Sequence, residues 1–145
     1  MRVVVQRAKE AKCIIDNKVF SSIDHGYVLL GSFKEGDDIN VINKMIKKIL
    51  NLRIFEDEND VMNKTILDVG GEILSISQFT LYGDARKGNR PSFVDSMRPE
   101  EANLLYDFFN ETLSNYGIIT KPGVFGGDML LEPFCDGPVT IEMEY

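Results

Sequence analysis

The first third of the chain alternates short runs of β-branched and other apolar residues with turn-forming residues. Residues 3–7, 11–15, 19–22 and 27–33 are four such runs, each too short for a helix. Asp16-Asn17 and His25-Gly26 lie between runs and are typical of tight turns. The pattern predicts that this region consists mostly of β-strands.

Two later segments space their apolar residues along one face of a helix. Residues 39–50 carry an apolar stripe opposite a lysine-rich face, at Ile39, Ile42, Met45, Ile46, Ile49 and Leu50. A second segment starts at Pro99, carries Glu100 and Glu101 at its N-terminal end and stops at Gly117. Its stripe is Ala102, Leu105, Tyr106, Phe109 and Leu113. We predict two amphipathic helices.

The remaining apolar segments predict further strands. Residues 73–81 follow Gly70-Gly71 and favour a strand buried on both faces, whereas residues 83–91 are polar, contain glycine and predict a surface loop. Residues 118–121, 129–134 and 139–144 predict three more strands. Two helices are too few to cover both faces of a sheet, so we expect a layered α/β fold with a helical layer on a sheet, as one domain over residues 1–145.

Composition and charge limit the function. The chain has 145 residues, 43% of them hydrophobic, as in one ordinary globular domain. Sixteen Lys and Arg against 23 Asp and Glu give a net charge of −7, so any contact with RNA must be local. No apolar stretch approaches the roughly 18 residues of a membrane span, and the N-terminal run lacks the features of a secretory signal. Free thiols without a leader indicate a cytoplasmic protein.

Several common kinds of site are disfavoured. Cys13 and Cys135 are far apart and lack the spacing of a zinc site, so we expect no metal. His25 is the single imidazole and lies in a predicted turn, which favours a solvated turn residue over a catalytic base. Neither glycine-rich nucleotide-binding motif follows a predicted strand. The chain therefore does not resemble a common hydrolase or a nucleotide-binding enzyme.

Three unusual segments remain. Ser77-Gln78-Phe79-Thr80-Leu81 places polar groups at the end of an apolar strand, where they either bind neighbouring backbone or face a ligand. Cys135-Asp136-Gly137-Pro138-Val139-Thr140 starts a strand with an X-Pro bond, a kind of bond that is usually trans.

The third segment is basic. Arg86, Lys87 and Arg90, followed by Arg98, form either a solvated loop or, together with Phe93 and the turn at residues 123–129, a site that binds phosphate by charge and a base by stacking. The residues alone predict a ligand-binding α/β domain, with the end of a nucleic acid as a candidate ligand.

These segments together resemble the D-aminoacyl-tRNA deacylase family. The resemblance is carried by Ser77-Gln78-Phe79-Thr80-Leu81, by Arg86-Lys87-Gly88-Asn89-Arg90-Pro91-Ser92-Phe93, by Gly123-Val124-Phe125-Gly126 and by Asp136-Gly137-Pro138-Val139-Thr140. Two further segments are also similar: the start of the chain, Met1-Arg2-Val3-Val4-Val5-Gln6-Arg7, and the stretch Asn51-Leu52-Arg53-Ile54-Phe55. The likeness spans the whole chain in order.

The resemblance implies a homodimer with two main helices on a mixed, barrel-like sheet. It implies hydrolysis of the ester between a D-amino acid and the 3′-terminal adenosine of tRNA, without a cofactor and without DNA as a partner. Gly137 and Pro138, joined by a cis bond, would enter the opposite subunit's site and reject L-amino acids, and Arg7 would brace that loop. The remaining roles that it implies are the ester site at Ser77, Gln78, Phe79 and Thr80, the adenosine pocket at Phe125 and Met129, and tRNA contacts at Arg86, Lys87 and Arg90.

Several alternatives stay open. The ribose hydroxyl beside the ester can supply the activating group, and we favour this route over Thr80 as a nucleophile because no general base for Thr80 can be named. The chain could instead bind tRNA ends without turnover, bind a small molecule as a dimer, or be the related deacylase that removes a small L-amino acid. The strand motif at residues 77–81 argues against the last of these.

Two positions depart from the family pattern. Cys135 stands where Asn is usual, and Gly127 stands where Ala is common. Loss of the Asn amide removes a hydrogen bond from the Gly137-Pro138 loop, and a glycine adds backbone freedom near the adenosine pocket. We expect any consequence in the strictness of chiral rejection.

Overall fold

The computed structural model describes residues 1–145 and contains eight strands, two α-helices and a short 3₁₀ turn. The elements in chain order are β1 (Arg2–Ile15), β2 (Lys18–Ile23), β3 (Gly26–Ser32), α1 (Ile39–Leu50), β4 (Phe55–Glu56), β5 (Met62–Lys64), β6 (Glu72–Ser77), the 3₁₀ turn (Phe79–Tyr82), α2 (Pro99–Asn115), β7 (Thr120–Pro122) and β8 (Leu130–Glu144). The predicted α/β class with two main helices is confirmed.

The main sheet is mixed and nearly barrel-shaped. Its strands follow the order β2-β1-β3-β6-β7, and β8 pairs with the other edge of β1. β3, β6 and β7 are parallel, whereas β1 is antiparallel to its three neighbours. Gly26 opens β3 beside the first residue of β6, where a Cβ atom would come within 1.9 Å of the Glu72 carbonyl oxygen, so only glycine fits.

The core consists of two apolar clusters, one on each face of the sheet, and the helices pack against the larger one. Asp38 caps α1 by accepting hydrogen bonds from the backbone N–H groups of Asn40 and Val41, and the predicted stripe is buried except for Ile39. The stripe of α2 packs against the same face of the sheet. On the opposite face a smaller cluster contains Val28, Leu74 and Ile76. β6 is therefore buried on both faces, as predicted.

Three predicted boundaries are wrong. β1 is one strand where residues 3–7 and 11–15 were predicted as two, because β8 pairs along almost its whole length. β8 is likewise one strand over the predicted 129–134 and 139–144. The strand predicted for residues 73–81 ends at Ser77. Ser77 pairs with Gly31, and the partner strand β3 ends at the next residue, Ser32, so no further pairing is available. The short β4–β5 hairpin was not predicted.

The paired strands β1 and β8 contain a bulge at the Gly-Pro segment. Gln6 pairs with Thr140 and Ala8 with Cys135, so Arg7 alone stands opposite the four residues 136–139. The Gly137–Pro138 peptide bond is cis, as the resemblance implies.

The polar segment of residues 83–91 follows the 3₁₀ turn directly. Residues 85–91 are exposed, and the loop is closed by a pair of backbone hydrogen bonds of 2.8 Å between Asp84 and Ser92, so the predicted surface loop is confirmed.

Neither α-helix is long and apolar enough to cross a membrane.

Candidate active site

A cavity of about 640 Å³, the main pocket, lies where the end of β6, the 3₁₀ turn, the start of α2 and the loop between β7 and β8 meet. Half of its 18 lining residues are hydrophobic. Aromatic rings and thioether side chains dominate the apolar part, at Phe33, Phe79, Phe93, Met97, Phe125 and Met129. A concave pocket of this size that combines apolar walls with several polar side chains suits a small ligand.

One wall of the pocket is formed by Ser77, Gln78 and Phe79. The Gln78 N–H donates to the Gly31 carbonyl at 2.7 Å, which anchors the segment as it leaves the sheet. The Phe79 carbonyl accepts hydrogen bonds from the Ser32 hydroxyl at 3.4 Å and the Ser96 hydroxyl at 3.1 Å. These bonds hold the turn in a fixed position.

Thr80 takes a different position from the other three residues of this motif. It is exposed and does not line the cavity. Its hydroxyl oxygen accepts a hydrogen bond from the Gln78 side-chain amide. Of the four consecutive residues predicted to form the catalytic set, Ser77, Gln78 and Phe79 therefore face the pocket and Thr80 does not.

The opposite wall is the loop that contains Phe125 and Met129. A Cβ atom at Gly123 would come within 2.7 Å of the Met129 sulfur, so glycine allows this close packing. The ring of Phe125 packs against Tyr106 with centroids 5.9 Å apart. Both predicted adenosine-pocket residues thus lie in the cavity.

The loop is tied to the sheet through one carbonyl. The Ser75 carbonyl accepts hydrogen bonds from the Gly123 N–H at 2.8 Å and the Tyr106 hydroxyl at 2.7 Å. Burial raises the pKa of the Tyr106 hydroxyl, which therefore stays protonated and able to donate.

Gly127 also bears on the shape of this loop. A Cβ atom there would lie 3.1 Å from the Cβ of Val124, which is a tight contact. The glycine in place of the usual Ala therefore relieves crowding at the pocket wall.

Arg7, Gly137 and Pro138 do not line the cavity of their own chain. Arg7 is buried and donates to the Ile54 carbonyl at 2.6 Å and to the Glu56 carboxylate at 2.9 Å. Its Nε lies 3.2 Å from an Asp136 carboxylate oxygen. Arg7 therefore braces the Gly137-Pro138 segment of its own chain, while Gly137 and Pro138 are exposed.

Asp136 provides a support for this segment that does not involve position 135. Its carboxylate also lies 3.2 Å from Lys9 Nζ. The segment is thus held by two ion pairs although Cys135 has replaced the usual Asn. Cys135 itself is exposed and unpaired, whereas Cys13 is buried.

The predicted tRNA-contacting residues lie outside the main pocket. Arg86 lines a second hollow of about 430 Å³ together with Arg2 and Tyr82. Its guanidinium is held by Asp84 at 2.8 Å, and this pairing lowers the pKa of that carboxyl to about 2. Lys87 and Arg90 are exposed and line neither hollow.

Other residues of the pocket were not predicted from the sequence. Ser32, Phe33, Ser96 and Met97 come from segments without any distinctive motif, whereas Asp128 lies in the turn at residues 123–129 that the sequence singles out. His25 is exposed, forms a 3.1 Å contact with the Val69 carbonyl and does not line the pocket, in line with the predicted turn residue. The structure has no group of three or more His, Cys, Asp or Glu side chains arranged to hold a metal ion.

Comparison with known proteins gives a consistent result over the whole chain. The D-Tyr-tRNA(Tyr) deacylase family model matches residues 4–144. A D-aminoacyl-tRNA deacylase of Geobacillus sp. (strain WCH70) is 51% identical over 144 residues, which are 99% of this chain and 95% of that protein. The D-aminoacyl-tRNA deacylases of Lactobacillus gasseri and Bacillus cereus are 46% and 48% identical, each with 99% of both chains covered.

Solved structures show the same fold. The c-Myc DNA Unwinding Element Binding Protein superposes with a TM-score of 0.95 at 38% identity, covering 100% of this chain and 99% of that one. A structure described as a probable eukaryotic D-amino acid tRNA deacylase gives a TM-score of 0.82 at 18% identity, covering 98% and 97%. At this lower identity the likeness concerns the fold alone.

Proposed function

The chain belongs to the D-Tyr-tRNA(Tyr) deacylase family, and we propose on this premise that its main pocket binds the aminoacylated 3′ end of tRNA. The protein is a hydrolase that releases a D-amino acid from tRNA, leaving the tRNA free for correct charging. The observation that carries this proposal is the meeting of Ser77, Gln78 and Phe79 with Phe125 and Met129 around one cavity. Such a protein acts in the cytoplasm, where translation takes place.

The pocket suits an adenosine with an esterified amino acid. Phe79 and Phe93 meet edge to face with centroids 5.1 Å apart, and Phe125 lies on the other wall. Aromatic rings provide stacking surfaces for a base, while the hydroxyl of Ser77 and the amide of Gln78 provide hydrogen bonds for the ester and the ribose.

The chemistry then depends on positioning and on stabilisation of charge. No imidazole lines the pocket. The ribose hydroxyl beside the ester activates the attack, and the protein holds the reacting groups in line. The N–H group of Phe79, the first residue of the 3₁₀ turn and part of the pocket lining, has no partner within the turn, so it can stabilise the oxyanion that develops.

The position of Thr80 supports this route over a covalent one. Its hydroxyl lies outside the cavity lining and accepts a hydrogen bond from Gln78. A nucleophile needs a base within hydrogen-bond reach, and an amide N–H cannot accept a proton. Thr80 thus orients Gln78, which faces the pocket.

The chiral filter comes from a second copy of the chain in our proposal. Gly137 and Pro138 are exposed and project from β8 as a bulge, with Arg7 bracing the segment from behind. Phe134 and Leu130 on the same strand leave 55% and 61% of their surfaces exposed, as expected for a face that a partner covers. In a homodimer the bulge would enter the partner's pocket and occupy the space of an L side chain.

The rest of the tRNA contacts the exposed basic loop. Lys87 and Arg90 have no ion pair in the structure, and Arg86 is neutralised in part by Asp84. Because the chain carries a net charge of −7, this loop supplies a local attraction for phosphate. The same net charge gives no support for binding duplex DNA.

The proposal is tested with matched D- and L-tyrosyl-tRNA at catalytic protein concentration. We expect many turnovers on the D ester and sparing of the L ester. Binding of the tRNA end without ester loss would instead identify a binding module. Preferential loss of a small L-amino acid would identify the related deacylase type, and binding that is independent of the tRNA body would identify a small-molecule binder.

A further inference from the structure

The main pocket contains one cationic side chain, that of Arg98. Of the lining residues only Arg98 and Asp128 carry a formal charge. The rest of the cavity is apolar or neutral. Any anionic group of a ligand that fills the cavity therefore has a single side chain with which it can form an ion pair.

Arg98 differs from most other arginines in having no internal partner. Arg2, Arg7 and Arg86 pair with carboxylates, and Arg53 donates to the Asn63 carbonyl at 2.8 Å. Arg98 forms no side-chain hydrogen bond and no ion pair, although Glu100 and Glu101 follow it closely. Arg90 is also unpaired but does not line the pocket.

The backbone of Arg98 is nevertheless held in place. The N–H of the preceding residue, Met97, donates to the Phe33 carbonyl at 3.0 Å. The carbonyl of Arg98 accepts from the Ala102 N–H at 2.9 Å as α2 begins. A side chain that is exposed and unpaired on an anchored backbone is available to a ligand without first breaking an internal contact.

We propose that Arg98 binds the phosphate that joins the terminal adenosine to the preceding nucleotide of tRNA. The inference rests on the proposed function, because it assumes that an adenosine occupies the pocket. If the terminal adenosine fills the cavity, the tRNA chain continues out of the cavity through the 5′-phosphate of that adenosine. This phosphate bears a negative charge. A guanidinium binds phosphate oxygens through paired N–H groups, a geometry that ammonium groups do not offer. Arg98 would thus distinguish a tRNA end from a free nucleoside ester.

The test compares adenosine with adenosine 5′-(methyl phosphate), a diester that mimics the chain terminus. The Kd of each is measured by calorimetry for the unmodified protein and for R98Q, R98K and K18Q. Lys18 is exposed on β2 and lines neither hollow. K18Q removes one positive charge, as R98Q does, so it controls for the change in net charge alone.

We expect the phosphodiester to bind about tenfold more tightly than adenosine to the unmodified protein and to K18Q, a typical ratio for one charge-assisted contact. R98Q should lose this preference while its affinity for adenosine is unchanged, and R98K should retain part of it. Equal affinities in the unmodified protein, equal weakening of both ligands by R98Q, or no binding of either at millimolar concentration would each overturn the inference.

Deacylation of D-tyrosyl-tRNA by the same preparations separates this inference from the proposed function. If the unmodified protein deacylates D-tyrosyl-tRNA but shows no preference for the phosphodiester, the assignment of Arg98 fails and the proposed function stands. If it does not deacylate, the proposed function fails, whatever the binding results show.

Discussion

The hydroxyl of Tyr106 on α2 donates a hydrogen bond of 2.7 Å to the carbonyl oxygen of Ser75 on β6. The same carbonyl accepts from the Gly123 N–H, and the ring of Tyr106 packs against Phe125. One side chain thus connects the helix, the central sheet and the loop that closes the pocket.

We expect Tyr106→Phe to lower the free energy of unfolding by about 1 kcal/mol, the usual loss for one buried hydrogen bond. The loss should not be larger, because the Ser75 carbonyl keeps its bond from Gly123. Urea unfolding measures the effect, and deacylation should be retained because the ring stays. Tyr116→Phe is the matched control, since Tyr116 is 47% exposed. An equal loss in both variants would contradict the role of the bond.

Thr80→Ala should keep substantial deacylase activity. Its hydroxyl does not line the pocket, and its bond with Gln78 contributes to orientation only. Single-turnover loss of D-tyrosyl ester measures the rate, and far-ultraviolet circular dichroism confirms the fold. Complete inactivation of a folded variant would restore the acyl-enzyme mechanism.

Pro138→Ala should reduce the preference for D over L esters by about tenfold or more, the order expected when a steric barrier in a pocket is loosened. Pro138 is exposed and does not line the pocket of its own chain, so in the proposed homodimer it acts on the partner's pocket. Initial rates with both tyrosyl-tRNAs give the ratio, and light scattering gives the oligomeric state. Pro133→Ala, an exposed proline of the same strand, is the control. A dimer with unchanged discrimination would exclude Pro138 as the filter.

Charge reversal in the basic loop should raise the KM for tRNA and flatten its dependence on salt. Each lost phosphate contact lowers the salt slope by about 1. We expect Lys87→Glu to act more strongly than Arg86→Glu, because Arg86 is already held by Asp84. Steady-state kinetics at several salt concentrations measure both effects, and Lys18→Glu is the control. If the slope does not change, the loop does not contact RNA.

Glu144 predicts a pH dependence of stability. Arg2 and Lys34 bind its carboxylate at 2.8 and 2.9 Å and lower its pKa to about 2. A lowered pKa in the folded state adds stability above the ordinary pKa of Glu, and this stability is lost as the pH falls from about 4.5 towards 2.

Glu144→Gln should therefore cost about 1 kcal/mol at neutral pH, a value reduced for solvent screening because the side chain is 38% exposed. Urea unfolding at neutral and acidic pH measures the difference between the two proteins. That difference should shrink on acidification, and a constant difference would show that packing rather than charge is responsible.

The sequence by itself determined the two helices, the strand-rich beginning and the family. These follow from local causes: the spacing of apolar residues, the cap at Asp38, the stop at Gly117 and motifs that are contiguous in the chain. The buried strand at β6 was also predictable, because an apolar-rich segment that is too short for a helix favours a strand covered on both faces.

Only the tertiary structure decided where the strands end and which residues share the pocket. Ser77 ends β6 because its partner strand stops, and residues 136–139 bulge because Arg7 alone stands opposite them; both facts depend on pairing between distant segments. Arg98 and Asp128 lie in segments that the sequence already singles out, whereas Ser32 at the end of β3 and Ser96 before α2 reach the pocket only through the fold. No local pattern encodes such a meeting, since it arises from long-range packing.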